Sequence, residues 1–183
     1  MKTFILEILI LTLIAVGIAN AGIKEDILKV PGAQCSAMSQ MDTSDPDSVK
    51  AQLSFLNKTL HYRDPADRAE AMQEIEASYR YLKTRYPDLF QRIVGYSIVL
   101  EPGQRKAHIK IAVRSALHRG PVDPSVYQEN VYVYTDELVK TPSGWKSLGD
   151  PMPVELLFYH EKSREEIVKR LKKIGLKINI GLI

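Results

Sequence analysis

The stretch Val94-Gly95-Tyr96-Ser97-Ile98-Val99-Leu100, Glu101-Pro102-Gly103-Gln104, then Ala107-His108-Ile109-Lys110-Ile111-Ala112-Val113-Arg114 decides the fold class. Its last part alternates: Ala107, Ile109, Ile111 and Val113 point one way, His108, Lys110 and Arg114 the other. A period of two with one charged face describes a sheet covered on one side and wet on the other. In the first part Val94, Tyr96, Ile98 and Leu100 share a face. Between the two runs, Pro102 and Gly103 hold the central positions of a type II turn, where proline presets φ and glycine takes the positive φ. Further out, a third strand rich in tyrosine and valine runs from about Val126 to Val139. Thr141-Pro142-Ser143-Gly144 turns it into a fourth that opens at Trp145. From Arg92 to Tyr159 the chain reads as a four-stranded antiparallel meander.

Two helices precede it. Asp45 is an N-cap with Pro46 just inside, and Val49, Leu53, Leu56 and Leu60 draw one apolar stripe. Asp64 caps a second helix with Pro65 at its first position, and Asp67 and Glu70 complement its dipole. Met72, Ile75, Tyr79, Leu82 and Tyr86 then recur until Pro87 ends it. Packing both stripes on the apolar sheet face gives an α+β domain. Leu53, Leu56, Met72, Ile75, Leu82, Ile109, Ile111 and Val113 are expected to share its core. After the sheet, Ser163-Arg164-Glu165-Glu166 is a capping box opening a helix through Ile167, Val168, Leu171 and Ile174, stopped by Gly175. Leu176 to Ile180 alternates as a short edge strand.

The ends and the composition bound the rest. Lys2, the apolar run Phe4 to Ile18 and Ala19-Asn20-Ala21 make a secretory leader over 1–21, cleaved before Gly22. The run is short of the ~20 residues that span a bilayer, so no stable membrane insertion is expected, and the mature chain is expected to be secreted (periplasmic in a bacterium). Residues 22–45 read as a linker. One or two helical turns over Ile23 to Val30 are expected to break at Pro31-Gly32. Residues 46–160 form the α+β domain and 161–183 a C-terminal helical tail. A net charge of +3 over 183 residues is too mild to imply nucleic-acid binding. The single cysteine, Cys35, excludes an internal disulfide and leaves a free thiol or a homodimer link.

Gly103-Gln104-Arg105-Lys106-Ala107-His108-Ile109 and Asp136-Glu137-Leu138-Val139-Lys140-Thr141-Pro142-Ser143-Gly144-Trp145-Lys146 resemble segments of the nuclear transport factor 2-like superfamily, which includes the SnoaL-like cyclases and related dehydratases. The resemblance covers roughly Asp45 to Leu148. It implies a cone, in which a strongly bent sheet wraps helices and leaves a pocket. It also implies a third helix and a short extra hairpin, for which the sequence shows no convincing place. The acid–base group of the family's enzymes matches no residues here.

The residues themselves offer few sites. His61 and Asp64 have the types of an acid–base pair, but Asp64 is already explained as a cap and His61 as a helix-ending cation. His108 and Arg114 lie on the charged sheet face, solvated unless that face bends around a pocket. His118 belongs to a turn and His160 follows the sheet. The four histidines show no metal-ligand spacing, so no metal is expected. No phosphate loop, dinucleotide fingerprint or G-x-S-x-G occurs, so no cofactor is expected. Tyr79, Tyr86, Tyr96, Tyr132, Tyr134 and Trp145 read as packing residues rather than a ligand cage. Asn57-Lys58-Thr59 is a glycosylation sequon in a eukaryotic source. The basic run Lys169 to Lys173 reads as a solvated face. The expectation is a secreted, non-catalytic domain that binds a small apolar ligand or a partner protein. The rival is a cofactor-independent SnoaL-like lyase or isomerase with acid–base residues in the cone pocket.

Overall fold

Alternation and turn chemistry place the strands, and packing decides how many there are. A computed structural model describes residues 22–62, 64–118, 127–149, 151–158 and 162–182. The expected leader over 1–21, Arg63, the turn expected at Gly120-Pro121 and His160 lie outside them. Six strands are present among the described residues: β1 (Phe90–Leu100), β2 (Lys106–His118), β3 (Tyr127–Thr141), β4 (Gly144–Ser147), β5 (Met152–Phe158) and β6 (Lys177–Ile178). They form one antiparallel sheet in the order β4-β3-β2-β1-β6, with β5 also paired to β3. The β1–β2 turn is built as its residues require: Gly103 has φ +84°, and the Gln104 amide donates to the Glu101 carbonyl at 2.9 Å. The expected fourth strand is two. β4 pairs with the end of β3 from Leu138 to Thr141. The chain then breaks away at Gly149, with φ +85°, and Pro151. It returns as β5 against Asn130 to Thr135.

The inner face of the sheet carries Ala107, Ile109, Ile111, Val113, Leu138 and Trp145, as the alternation of β2 requires, with Tyr96, Ile98 and Leu100 of β1 against them. Val94 departs from that face. The β1–β2 register slips between Ile93 and Gly95, and the extra residue of a bulge moves every side chain before it to the other parity. Val94 is therefore buried on the outer face with Ala112, Val131 and Val133.

The helix that fills the inner face is one the sequence hides. Residues 22–40 are helical, straight through Pro31 and Gly32, and form helix α1 in place of the expected linker. Ile27, Val30, Cys35, Met38 and Met41 are buried along it and just past its end, and Pro31 is buried too. Their spacing of three and four is that of a core stripe. An interior proline costs ~3 kcal/mol; burying several apolar side chains at ~1.5–3 kcal/mol each exceeds that. Ile27, Val30 and Cys35 pack directly on Ala107, Ile109, Ile111 and Val113. Ser39 extends the contact into the sheet edge, where its Oγ accepts from the Gln91 amide at 2.8 Å and donates to the Cys35 carbonyl at 2.8 Å.

The expected helices follow as α2 (Pro46–Asn57) and α3 (Pro65–Arg85), capped by Asp45 and Asp64. Their stripes do not form the main core. Val49, Leu56 and Leu60 are buried, but Leu53, Met72, Ile75 and Leu82 are only half-buried. A buried side chain of α3 is a cation. Lys83 is 5% exposed, and its Nζ donates to the carbonyls of Pro87 (2.8 Å), Ser39 (3.3 Å) and Leu89 (3.3 Å). It fastens the end of α3 to α1 and to the start of β1.

The outer face is wet only in part: Val99, His108 and Glu137 stay exposed, and the other half is covered. Helix α4 (Arg164–Lys173) opens with the Ser163/Glu166 capping box. It buries Ile167 and Leu171 on Val94, Ala112, Val131, Val133 and Leu157. Lys169, Arg170, Lys172 and Lys173 stay exposed. After Gly175 (φ +84°), β6 pairs with Gly95 and Tyr96. A side chain at position 95 would meet the Lys177 carbonyl at 3.2 Å, so glycine there permits the close approach. No helix among the described residues is long and apolar enough to cross a membrane.

Candidate functional site

A cleft of about 830 Å³ opens between α3, the end of α2, the middle of α1 and strands β3 and β5. Each wall follows from a local rule. Pleating points Tyr132 and Tyr134 to the same inner face, where their rings stack with centroids 5.9 Å apart. Helical spacing brings Ala71, Ile75, Ser78 and Tyr79 of α3 to the facing wall. Leu56 and Leu60 come from α2 and the segment after it, and Cys35 from α1. The segment between α2 and α3 is held by β4: the Ser147 amide donates to the Thr59 carbonyl and the His61 amide to the Ser147 carbonyl, both at 2.8 Å. That anchor places Tyr62 in the wall of the cleft.

Burial sets the protonation of this site. It pushes the Cys35 thiol up to about 12. Burial, followed by the nearby Cys35, pushes the Tyr79 phenol up to about 12. Tyr132 and Tyr134 are raised further by burial first, and Tyr62 is raised by burial against a smaller opposing effect of Arg68. At neutral pH these groups are all protonated, as donors rather than bases.

The residues singled out from the sequence fall elsewhere. Asp64 is the N-cap of α3, accepting from the Ala66 amide at 2.7 Å. His61 does not end a helix, since α2 stops at Asn57; it lies in the segment pinned to β4. His108 is on the outer face, with Nε2 3.0 Å from Glu101 and Nδ1 3.3 Å from Glu137. Its side chain is 48% exposed, in a separate groove on the far side of the sheet from the cleft. Arg114, on that same face, pairs with Glu129 and donates from Nη1 to the Leu182 carbonyl at 3.1 Å, which ties down the C-terminal turn. His118 is the last residue of β2 rather than part of a turn. Asn57 ends α2, with Oδ1 accepting from Arg68 Nε at 2.9 Å. Cys35 is buried inside the fold at 6% exposure. Of the free thiol and the intermolecular link that a lone cysteine allows, Cys35 is a free thiol, held in the core because the segment read as a linker is α1.

The cleft residues that sequence reasoning passed over are Cys35, Tyr62, Tyr79, Tyr132 and Tyr134. Tyr132 and Tyr134 were visible as alternate residues of one strand and Tyr79 as a member of a helix stripe. Only the fold shows that those two surfaces face each other across open space. Among the described residues, no group of three or more His, Cys, Asp or Glu side chains could hold a metal ion.

No family model matches the sequence, and no curated protein matches it. Solved structures do. The Kfla4162 protein from Kribbella flavida aligns with a TM-score of 0.53 at 14% identity, covering 75% of this chain and 94% of its own. A candidate dehydratase from the NTF2-like family, from Streptomyces avermitilis, aligns with a TM-score of 0.53 at 15% identity, covering 74% of this chain and 99% of its own. The chain has the nuclear transport factor 2-like fold. At these identities the likeness is one of fold alone. Within that fold, among the described residues, α1 with α2 and α3 gives three helices before the sheet.

Proposed function

We propose that this chain is an exported binding domain of nuclear transport factor 2-like fold whose cleft holds one small apolar molecule. The observation that carries this reading is the character of the cleft: aromatic and aliphatic walls around about 830 Å³, within the range of ~300–1,000 Å³ usual for ligand pockets. Acid–base catalysis asks for a group that titrates near neutral pH. Burial moves Cys35 and Tyr79 the other way, to about 12. That favours binding over the lyase or isomerase alternative. Helix α4 leaves a partner protein only the half of the outer face around Val99, His108 and Glu137.

The test uses N-phenyl-1-naphthylamine, a neutral fluorophore that brightens in apolar surroundings. The expected result is a saturable rise in fluorescence, abolished by Ala71→Trp, which fills the cleft while the melting temperature stays within a few degrees. Unsaturable fluorescence, or full binding by the filled variant, overturns the reading. Export rests on the leader, and N-terminal sequencing of the secreted protein is expected to begin at Gly22. A chain beginning at Met1 in a membrane fraction would refute export.

A further inference from the structure

We infer that the cleft selects neutral ring compounds carrying a hydrogen-bond acceptor and rejects the corresponding carboxylates. This rests on the ligand-binding reading above and adds the chemistry of the ligand to it.

Three observations converge on it. The first is the charge of the walls. Among the described residues lining the cleft there is no lysine, arginine or histidine, and because the Glu155 carboxylate turns to Arg170 of α4 on the far side of the sheet, the cleft's carboxylate is that of Glu74. An anion moved into apolar walls without a cation loses its hydration and gains nothing in return, and at Glu74 it would also meet a charge of its own sign. A cation gains little. Glu74 is exposed to water, where an ion pair is worth ~0–1 kcal/mol. Arg68, the cation that bears on Tyr62, donates to Asn57 Oδ1 at 2.9 Å.

The second observation is a donor in the wall. The Tyr62 hydroxyl is buried, with no hydrogen-bond partner among the described residues, and its residue lines the cleft. A buried polar group without a partner is a cost that a ligand acceptor would remove. The tyrosines stay protonated at neutral pH, so Tyr62 offers a proton to a carbonyl or ether oxygen rather than taking one. The third is shape. Tyr132 and Tyr134 stack at 5.9 Å along β3, and Tyr79 stands on the facing helix, so the site presents ring faces and edges to a flat guest.

The experiment displaces bound N-phenyl-1-naphthylamine from the mature protein with two probes that share a ring system, 2-acetylnaphthalene and 2-naphthoate, at neutral pH and physiological salt. The ketone is expected to compete at a concentration at least about tenfold lower than the carboxylate, given the cost of an unpaired buried charge. Tyr62→Phe should reduce the ketone's affinity relative to the fluorophore's by about fivefold, the value of a typical hydrogen bond. Glu74→Lys should shift the preference toward the carboxylate. Equal competition, or a stronger carboxylate, overturns the selectivity while leaving fluorophore binding and the ligand-binding reading intact. A ketone preference that survives Tyr62→Phe unchanged overturns the assigned donor. A carboxylate that gains nothing from Glu74→Lys overturns the electrostatic argument. A folded protein that fails to bind the fluorophore at all removes the ligand-binding reading itself.

Discussion

Leu171→Ala tests whether the C-terminal helix is a structural layer or a solvated tail. Leu171 is fully buried against the outer face of the sheet, beside Val131, Val133 and Ile167. Truncation removes roughly three methylene equivalents at ~0.8 kcal/mol each, and partial collapse of the cavity adds to that. The expected loss is ~3 kcal/mol, inside the ~2–5 kcal/mol range for buried leucines. For a domain of this size it corresponds to a fall in Tm of ~6–12 °C. Urea unfolding supplies the measurement, followed at once by far-UV circular dichroism and by the fluorescence of the sole tryptophan, Trp145, which is buried on the opposite face. The control is Lys172→Ala on the exposed side of the same helix. It should stay within ~0.5 kcal/mol of the parent. A Leu171→Ala change as small as that control would refute the docking of α4 and return the outer face to water. Ile111→Ala, buried on the inner face, should cost a similar ~2–5 kcal/mol. Because the sheet separates the two sites, the double variant should lose close to the sum.

The Cys35 thiol should be silent toward Ellman's reagent in the folded protein and react fully in urea, and the native mass should not change with reductant. Rapid labelling without denaturant would contradict its place in the core. Its folded pKa of about 12 lies above the unfolded value, so the unfolded chain loses this proton first. The thiol's contribution to stability is then whole below ~8.5 and declines as the pH rises toward 12. Stability curves across that interval should be flatter for Cys35→Ala, and an unaltered slope would sink the assignment. Amides of α3 between 68 and 80 should exchange faster than those of β2, because Lys83 is its buried anchor. Lys83→Met, which strips three carbonyls of their donor, should speed them further and cost ~1–3 kcal/mol; exchange as slow as that of the core strands would show the helix to be held by something else. His108→Gln should leave fluorophore binding within a factor of a few, since the ring sits between Glu101 and Glu137 on the face away from the cleft. Loss of binding would place His108 in the site.

The sequence by itself determined the parts of this molecule that depend on neighbours a few residues away. Asp45, Asp64 and Ser163 cap the helices they precede, and Pro102-Gly103 makes its turn, because each of these bonds closes within four residues. The alternation from Ala107 to Val113 held for the same reason: the pleat is a property of the strand. Tertiary structure decided the rest. Pro31 and a stripe of cysteine, alanine and methionine look like a breaker and a linker until the concave sheet face supplies a surface to bury them. The bulge at Ile93 to Gly95 and the break between β4 and β5 arise from pairing partners distant in sequence, and both change which face a side chain occupies. Half of the face read as wet is dry because α4, some fifty residues further along, returns to cover it; the half around His108 is exposed as the alternation requires. The cleft is the extreme case. A cavity belongs to no residue, and Tyr79 and Tyr132 become one site only when α3 is suspended over β3 without filling the space between them.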